Sequence, residues 1–177
     1  SLLAFQMHYT PNGVEQDDQS SVGLIFAREP PRYEVRTRSI AQRHLAIPAG
    51  AANYEARSAS TFDRDVELLS LLPHMHLRGK DFAYRAAFPG GNTETLLRVP
   101  RYDFNWQSNY RLARPLRLPA GTRIECTAHF DNSARNPNNP DPGQPVRWGD
   151  QTWQEMMIGF VDYAVPVEPG ARKPVNR

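Results

Sequence analysis

Cysteine is nearly missing from this 177-residue chain, which has Cys126 and no other. One thiol excludes an internal disulfide and a cysteine-rich zinc site. It leaves the cellular compartment open, because a lone buried thiol survives almost anywhere. Long apolar runs are missing too: nothing approaches the roughly eighteen consecutive apolar residues of a membrane-spanning helix. Charge of one sign is absent, since 21 Lys and Arg face 19 Asp and Glu for a net charge of +2. The basic residues are scattered, which argues against nucleic acid as a partner. No stretch sustains a 3.6-residue apolar period with caps at both ends, so no convincing helix is expected. Nor is there a basic start followed by an apolar stretch and a small-residue cleavage site. The chain opens in mid-pattern at Ser1-Leu-Leu-Ala-Phe5 and reads as a mature or excised piece of something longer.

What is present belongs to an all-β chain. Hydrophobic residues make up 40% and charged residues 23%, enough to bury one core. The 11 glycines and 16 prolines fall between short apolar stretches rather than in one cluster. Strand character recurs over Leu2–Tyr9, Val22–Ala27, Tyr33–Ile40, Val66–Leu72, Met75–Phe88, Glu94–Val99, Arg123–Phe130 and Glu155–Val165. Turn signals such as Ile47-Pro-Ala-Gly50, Phe88-Pro-Gly-Gly-Asn92 and Leu118-Pro-Ala-Gly121 separate them. Residues 123–130 alternate polar and apolar with period two, as a half-buried strand does. These features predict one domain, an antiparallel jelly-roll β-sandwich. The Asn-, Asp- and Pro-rich stretch 131–150 is too long for an ordinary connection, and its composition predicts a rigid loop bonded to itself. Residues 166–177 read as a tail.

The most informative chemistry lies in His74-Met75-His76. On a strand, residues two apart share a face, so both imidazoles can reach one ion while Met75 points to the other side. The third ligand has several candidates: His129, Asp162, Met156 and Met157. Two nitrogens with a carboxylate would suit iron(II) or zinc, whereas two nitrogens with a thioether select copper, above all Cu(I). Adjacent methionines face opposite ways, so at most one of Met156 and Met157 can join the pair. His44, beside Arg43, reads as a surface residue. Trp106 and Trp153 read as core, and Cys126 as buried filler with no activating base beside it.

The order of motifs is informative in its own right. Phe5-Gln-Met-His-Tyr9, Ile47-Pro-Ala-Gly50, Pro73-His-Met-His-Leu-Arg-Gly-Lys80, Tyr102-Asp-Phe-Asn-Trp-Gln107, Leu118-Pro-Ala-Gly-Thr122, Cys126 and Glu155-Met-Met157 follow one another over residues 5–165. The series resembles the C-terminal domain of the type II copper, ascorbate-dependent monooxygenases, the family of peptidylglycine α-hydroxylating and dopamine β-monooxygenases. The resemblance implies copper bound by His74, His76 and Met156, at the site of dioxygen binding and substrate hydroxylation. It implies an ascorbate-type electron donor, a small-molecule substrate and an extracytoplasmic home, periplasmic or secreted. It also implies a second copper domain upstream, whose last ligand would be His8. Residues 1–12 would then close that domain and lead into a sandwich over 13–165. His129 remains a weaker alternative ligand.

The departures from the family are specific. The adjacent histidine pair of the other copper site is absent. An arginine that helps hold the substrate carboxylate in the peptide-amidating members is Leu72 here, and their polar Asn and Tyr are Ile158 and Phe160. Met157 stands where a disulfide cysteine would be. These changes argue against a peptidyl-glycine substrate and leave the copper ligands in place. The competing expectation is a non-catalytic copper-binding or structural module of a larger redox protein.

Overall fold

Alternating burial marks out most of the strands. The computed structural model describes residues 3–5, 7, 9 and 12–167, which fall into two units divided after Pro30. In the first unit no described residue belongs to a strand or helix, and Leu3, Phe5, Val22, Leu24 and Phe26 are exposed. The strand expected over 22–27 therefore does not form: within that unit its apolar side chains have neither a partner strand nor a core. The His8 expectation lies outside the described residues, as does the tail from 168 onward.

The second unit contains β1 (Tyr33–Ala41), β2 (Ala46–Ile47), β3 (Tyr54–Thr61), β4 (Val66–Met75), β5 (Gly79–Ala87), β6 (Thr93–Val99), β7 (Tyr110–Leu118), β8 (Arg123–Phe130), β9 (Val146–Arg147) and β10 (Met157–Pro166). One four-stranded sheet has the order β1-β10-β4-β7 and the other β3-β8-β5-β6, while β2 and β9 form a small ribbon. Every pairing is antiparallel. Among the eight long strands the first pairs with the last, the second with the seventh, the third with the sixth and the fourth with the fifth. That nesting is the double Greek key of a jelly roll. The chain is thus an all-β jelly-roll sandwich, as its sequence predicts.

Between the sheets lie the inward faces of β4 and β10, with Leu68, Leu71, Met75, Met157 and Val161, against Phe82, Tyr84, Ile124, Cys126 and Phe130 of the other sheet. Gly159 lets the sheets approach: a Cβ there would sit 2.5 Å from the Cys126 sulfur and 2.8 Å from the Tyr84 ring. The same packing buries Cys126 and pushes its thiol pKa well up, which keeps it unreactive. Pro48-Ala-Gly50 and Pro119-Ala-Gly121 close tight turns with glycine at positive φ (70° and 87°), as their sequence signals require.

Local signals fail at three strands. The expected strand over 75–88 is cut by a turn at Leu77–Arg78, so Met75 ends β4 and Gly79 starts β5. β3 and β7 have weak patterns, Tyr-Glu-Ala-Arg-Ser-Ala-Ser-Thr and Tyr-Arg-Leu-Ala-Arg-Pro-Leu-Arg-Leu, and form because the neighbouring ladders supply their partners. Trp106 and Trp153 are also not core: they are 71% and 62% exposed.

Candidate metal centre

The end of β4 and the start of β10 lie side by side. Their register pairs Met75 with Met157 and His74 with Ile158. Met75 and Met157 point into the core, both fully buried. Residues directly opposite share a face, so His74 and Ile158 lie on the outer face of the sheet. His76 and Met156 are the residues immediately beyond this ladder, next to the Met75–Met157 pair. Parity thus assigns Met157 to the core and leaves Met156, half-buried and one residue before β10, as the methionine outside it.

The imidazoles are held by their surroundings. The His74 and His76 ring centroids are 5.2 Å apart, with planes at 81°. An ion about 2 Å from a ring nitrogen lies about 3 Å from that ring's centroid, so two tetrahedral ligands have centroids about 5 Å apart. The Nδ1 of His74 lies 2.6 Å from Oε1 of Gln107, whose amide is fixed by Nε2 donating to the Phe104 carbonyl. The Nδ1 of His76 lies 3.1 Å from the Gln154 carbonyl. Both partners are acceptors, so each Nδ1 carries the proton and donates it. In the neutral ring Nε2 then holds the lone pair, and the Gln151 carbonyl also lies within hydrogen-bond reach of the His76 ring. Fixing one ring nitrogen through an outer acceptor is how metal-binding imidazoles are oriented. Burial lowers the His76 pKa against the opposing pull of the Gln154 carbonyl, which favours the neutral, ligating ring.

Glu155 locks this geometry, a role the sequence does not announce. Its carboxylate is fully buried and accepts hydrogen bonds from the backbone N–H groups of His76 (2.8 Å), Arg78 (2.7 Å) and Met156 (3.1 Å). One side chain therefore joins the strand end carrying the histidines to the strand start carrying the methionine. Burial raises its pKa to about 7, even though those N–H groups and the Arg78 charge pull the other way. Arg78, 2% exposed, donates through Nε to Asn132 and through a terminal nitrogen to the Trp153 carbonyl. Asn132 in turn donates to the carbonyls of Pro48 and Gln144. Side-chain oxygens of Asp131, Asn136, Asn139 and Asp141 each accept from a backbone N–H two residues on. The 131–150 stretch is thus bonded to itself as its composition predicts, contains β9, and reaches the site through Asn132 and Arg78.

Tyr102 grips the backbone between the histidines. Its hydroxyl donates to the Met75 carbonyl (2.7 Å) and accepts from the Met75 N–H (3.0 Å). Gly79 leaves room for this contact, since a Cβ there would lie 2.8 Å from both the Met75 Cβ and the Tyr102 ring. Phe104 packs edge-on against His76, centroids 6.0 Å apart. The segments 73–80, 102–107 and 155–157, far apart in sequence, so converge on one end of one sheet.

The remaining candidates lie elsewhere. Asp162 is four residues along β10 from Ile158, about 13 Å by strand rise, and accepts from Thr37, Ser70 and Asn109. His129 sits on β8 in the other sheet. There its Nδ1 is 2.7 Å from Asp81 and its Nε2 is 3.4 Å from Glu55, the residues paired with it on the two neighbouring strands. It bonds neither into the 131–150 loop nor toward the pair. His44 is exposed, as expected. Among the described residues no three His, Cys, Asp or Glu side chains gather as a metal site. A site at the pair therefore depends on the Met156 thioether. The donor chemistry of two neutral imidazoles and one thioether fits copper. A groove of about 830 Å³ runs over the outer face of the other sheet past Arg57, Asp81, Arg98 and His129, and holds no paired imidazoles.

No model of a known protein family matches this chain, and no curated protein matches it. Among solved structures it is similar to the structure of infectious bursal disease virus Gt strain, at 8% identity and TM-score 0.41, covering 76% of this chain and 32% of that one. The Gx strain structure gives 8% identity and TM-score 0.36, with 81% and 35% covered. The VP2 subviral particle of that virus gives 9% identity and TM-score 0.30, with 77% and 42% covered. The chain spans less than half the length of these structures. No helix of the described residues is long and apolar enough to cross a membrane.

Proposed function

We propose that this chain is the copper-binding, substrate-hydroxylating domain of an ascorbate-dependent-type monooxygenase, with His74, His76 and Met156 as ligands. One observation carries the reading. Both imidazoles are oriented by Nδ1 hydrogen bonds to uncharged carbonyl oxygens, at the end of β4 and beside the start of β10, which Met156 immediately precedes. Bound copper would supply dioxygen binding and one-electron chemistry. The chain's own residues have separate tasks. The two Nε2 lone pairs offer donors that serve either copper oxidation state, and the thioether favours Cu(I). Gln107 and the Gln154 carbonyl hold the rings in the ligating tautomer. Glu155 keeps the two strand ends together, and Tyr102 keeps Met75 from rotating the histidines apart. Three protein ligands leave coordination positions open, as a catalytic site needs.

Dioxygen, a small-molecule substrate and ascorbate or another electron donor complete the reaction. A second copper domain preceding this one, with His8 among its ligands, and a periplasmic or secreted location belong to the same proposal. The test is Cu(I) titration of the purified chain, followed by oxygen uptake with ascorbate in the full-length protein. Tight one-to-one binding that disappears in a His74→Ala/His76→Ala variant is expected. Binding unaffected by that variant would remove the proposal. Binding without ascorbate-driven oxygen uptake above that of free copper would reduce the domain to a copper carrier.

A further inference from the structure

The outer face beside His74 continues as a floor that carries no acidic, lysine or arginine side chain for two rows and then changes. The first row sets Ala41 on β1, Ile158 on β10 and His74 on β4 side by side, and the next sets Ser39, Phe160 and Leu72. Ile158 is buried, while Phe160, Leu72 and His74 are half-buried and open toward solvent. The Phe160 ring lies 6.4 Å from the His74 ring, centroid to centroid. No charged side chain occupies either row. Charge begins one row further on, where Thr37, Asp162, Ser70 and Arg111 align. The Asp162 carboxylate there is already engaged by Thr37, Ser70 and Asn109. Rows are two residues apart, so Phe160 and Leu72 extend the floor about 7 Å beyond the histidine row and the charged row lies about 13 Å from it. That length suits one aromatic ring or a short alkyl chain.

We infer that this floor selects a substrate presenting an uncharged, apolar moiety, an aryl-alkyl group or short alkyl chain, to the metal centre, with polar groups confined to its far end. The inference rests on the copper reading for the word substrate, and on the two rows alone for the ligand's chemistry. A carboxylate lying on Leu72 and Phe160 would lose hydration and gain no partner, whereas an apolar group of the same size leaves water at no such cost. Binding sites for small molecules are built this way, apolar walls with polar groups at defined ends.

The test is a methyl and aromatic NMR titration of the metal-free chain with 2-phenylethanol and with phenylacetate, which match in size and differ in charge. Saturable shifts at Leu72, Ile158 and Phe160 are expected with 2-phenylethanol, with affinity at least tenfold above that of phenylacetate. Phe160→Asn and Leu72→Gln, each checked for native methyl dispersion, should bring the two ligands within about twofold. Equal or tighter phenylacetate binding, or no saturable shift at these residues, overturns the inference even when Cu(I) binds normally. Lost Cu(I) binding with the neutral preference intact overturns the copper reading and leaves the apolar site standing.

Discussion

Two sheets of one sandwich carry histidines on their outer faces, and they use them differently. At the end of β4, His74 and the next residue but one, His76, lean through Nδ1 on neutral carbonyl oxygens. On β8, His129 has a carboxylate near each ring nitrogen, Asp81 on one and Glu55 on the other. The first arrangement places a neutral acceptor at one nitrogen of each ring, whereas the second sets a carboxylate beside each nitrogen. The difference lies in the neighbours: loops carrying Gln107 and Gln154 cover the first face, while flat strands with acidic register partners flank His129. A histidine's chemistry is set by what its second nitrogen meets.

The largest expected effect comes from removing the lock on the first face. Glu155→Ala orphans two buried backbone N–H groups and a part-buried third, and should cost about 3–5 kcal/mol in chemical denaturation. Glu55→Ala, on the second face, should leave the unfolding midpoint nearly unchanged, because Glu55 is solvated. Equal losses in the two variants would erase the contrast.

The pH dependence should also differ between sites. The Glu155 pKa rises from an ordinary 4.5 to about 7 on folding, so the folded state binds the proton more tightly than the unfolded one. Its contribution is most favourable below pH 4.5, and about 3 kcal/mol is lost as pH climbs from there to above 7. Asp162 has the opposite sign. Burial would raise its pKa, but hydrogen bonds from Thr37, Ser70 and Asn109 outweigh burial and hold it below the usual carboxylate value. Its contribution is present above the ordinary aspartate range and is lost as pH falls through its depressed pKa. Subtracting the stability profile of Glu155→Gln from that of metal-free wild type isolates the first effect. A flat difference between pH 4.5 and 7 would contradict it.

Gly79→Ala should destabilise by about 1–3 kcal/mol, since the new Cβ meets the Met75 Cβ and Tyr102, and it should loosen the turn that carries His76. Thermal melting together with Cu(I) titration reads both effects. The smallest and most selective change is Gln107→Leu. It removes the partner of His74 Nδ1 from an exposed position, so Cu(I) affinity should fall about 10–100-fold with little change in melting. Asp81→Asn, at the partner of His129, should leave Cu(I) affinity as it was. If the two substitutions weakened copper equally, the histidines on the two faces would not differ as described.

The sequence showed these faces unevenly. Alternation and turn residues gave away β8, β1, β6 and the jelly-roll class, because those signals are local. β3 and β7 escaped, since their polar, Arg-rich strands are fixed by neighbouring ladders. The exposed Trp106 and Trp153 escaped too: both sit on loops, where their size does not imply burial. At the site, strand parity made the His74 and His76 pair legible, along with the rule that only one of two adjacent methionines could join it. The residues alone left Met156 and Met157 open and only the motif resemblance named Met156; the β4–β10 register that puts Met157 in the core is contained in no single segment. Glu155, Gln107 and Tyr102 were visible as members of an ordered motif, but their tasks are contacts to backbone groups tens of residues away.

X-ray absorption of the Cu(I)-loaded chain tests the central claim most directly. The account predicts two imidazole nitrogens and one sulfur around copper, the sulfur lost in Met156→Leu and kept in Met157→Leu. A spectrum without sulfur, or one whose sulfur survives Met156→Leu, would contradict it.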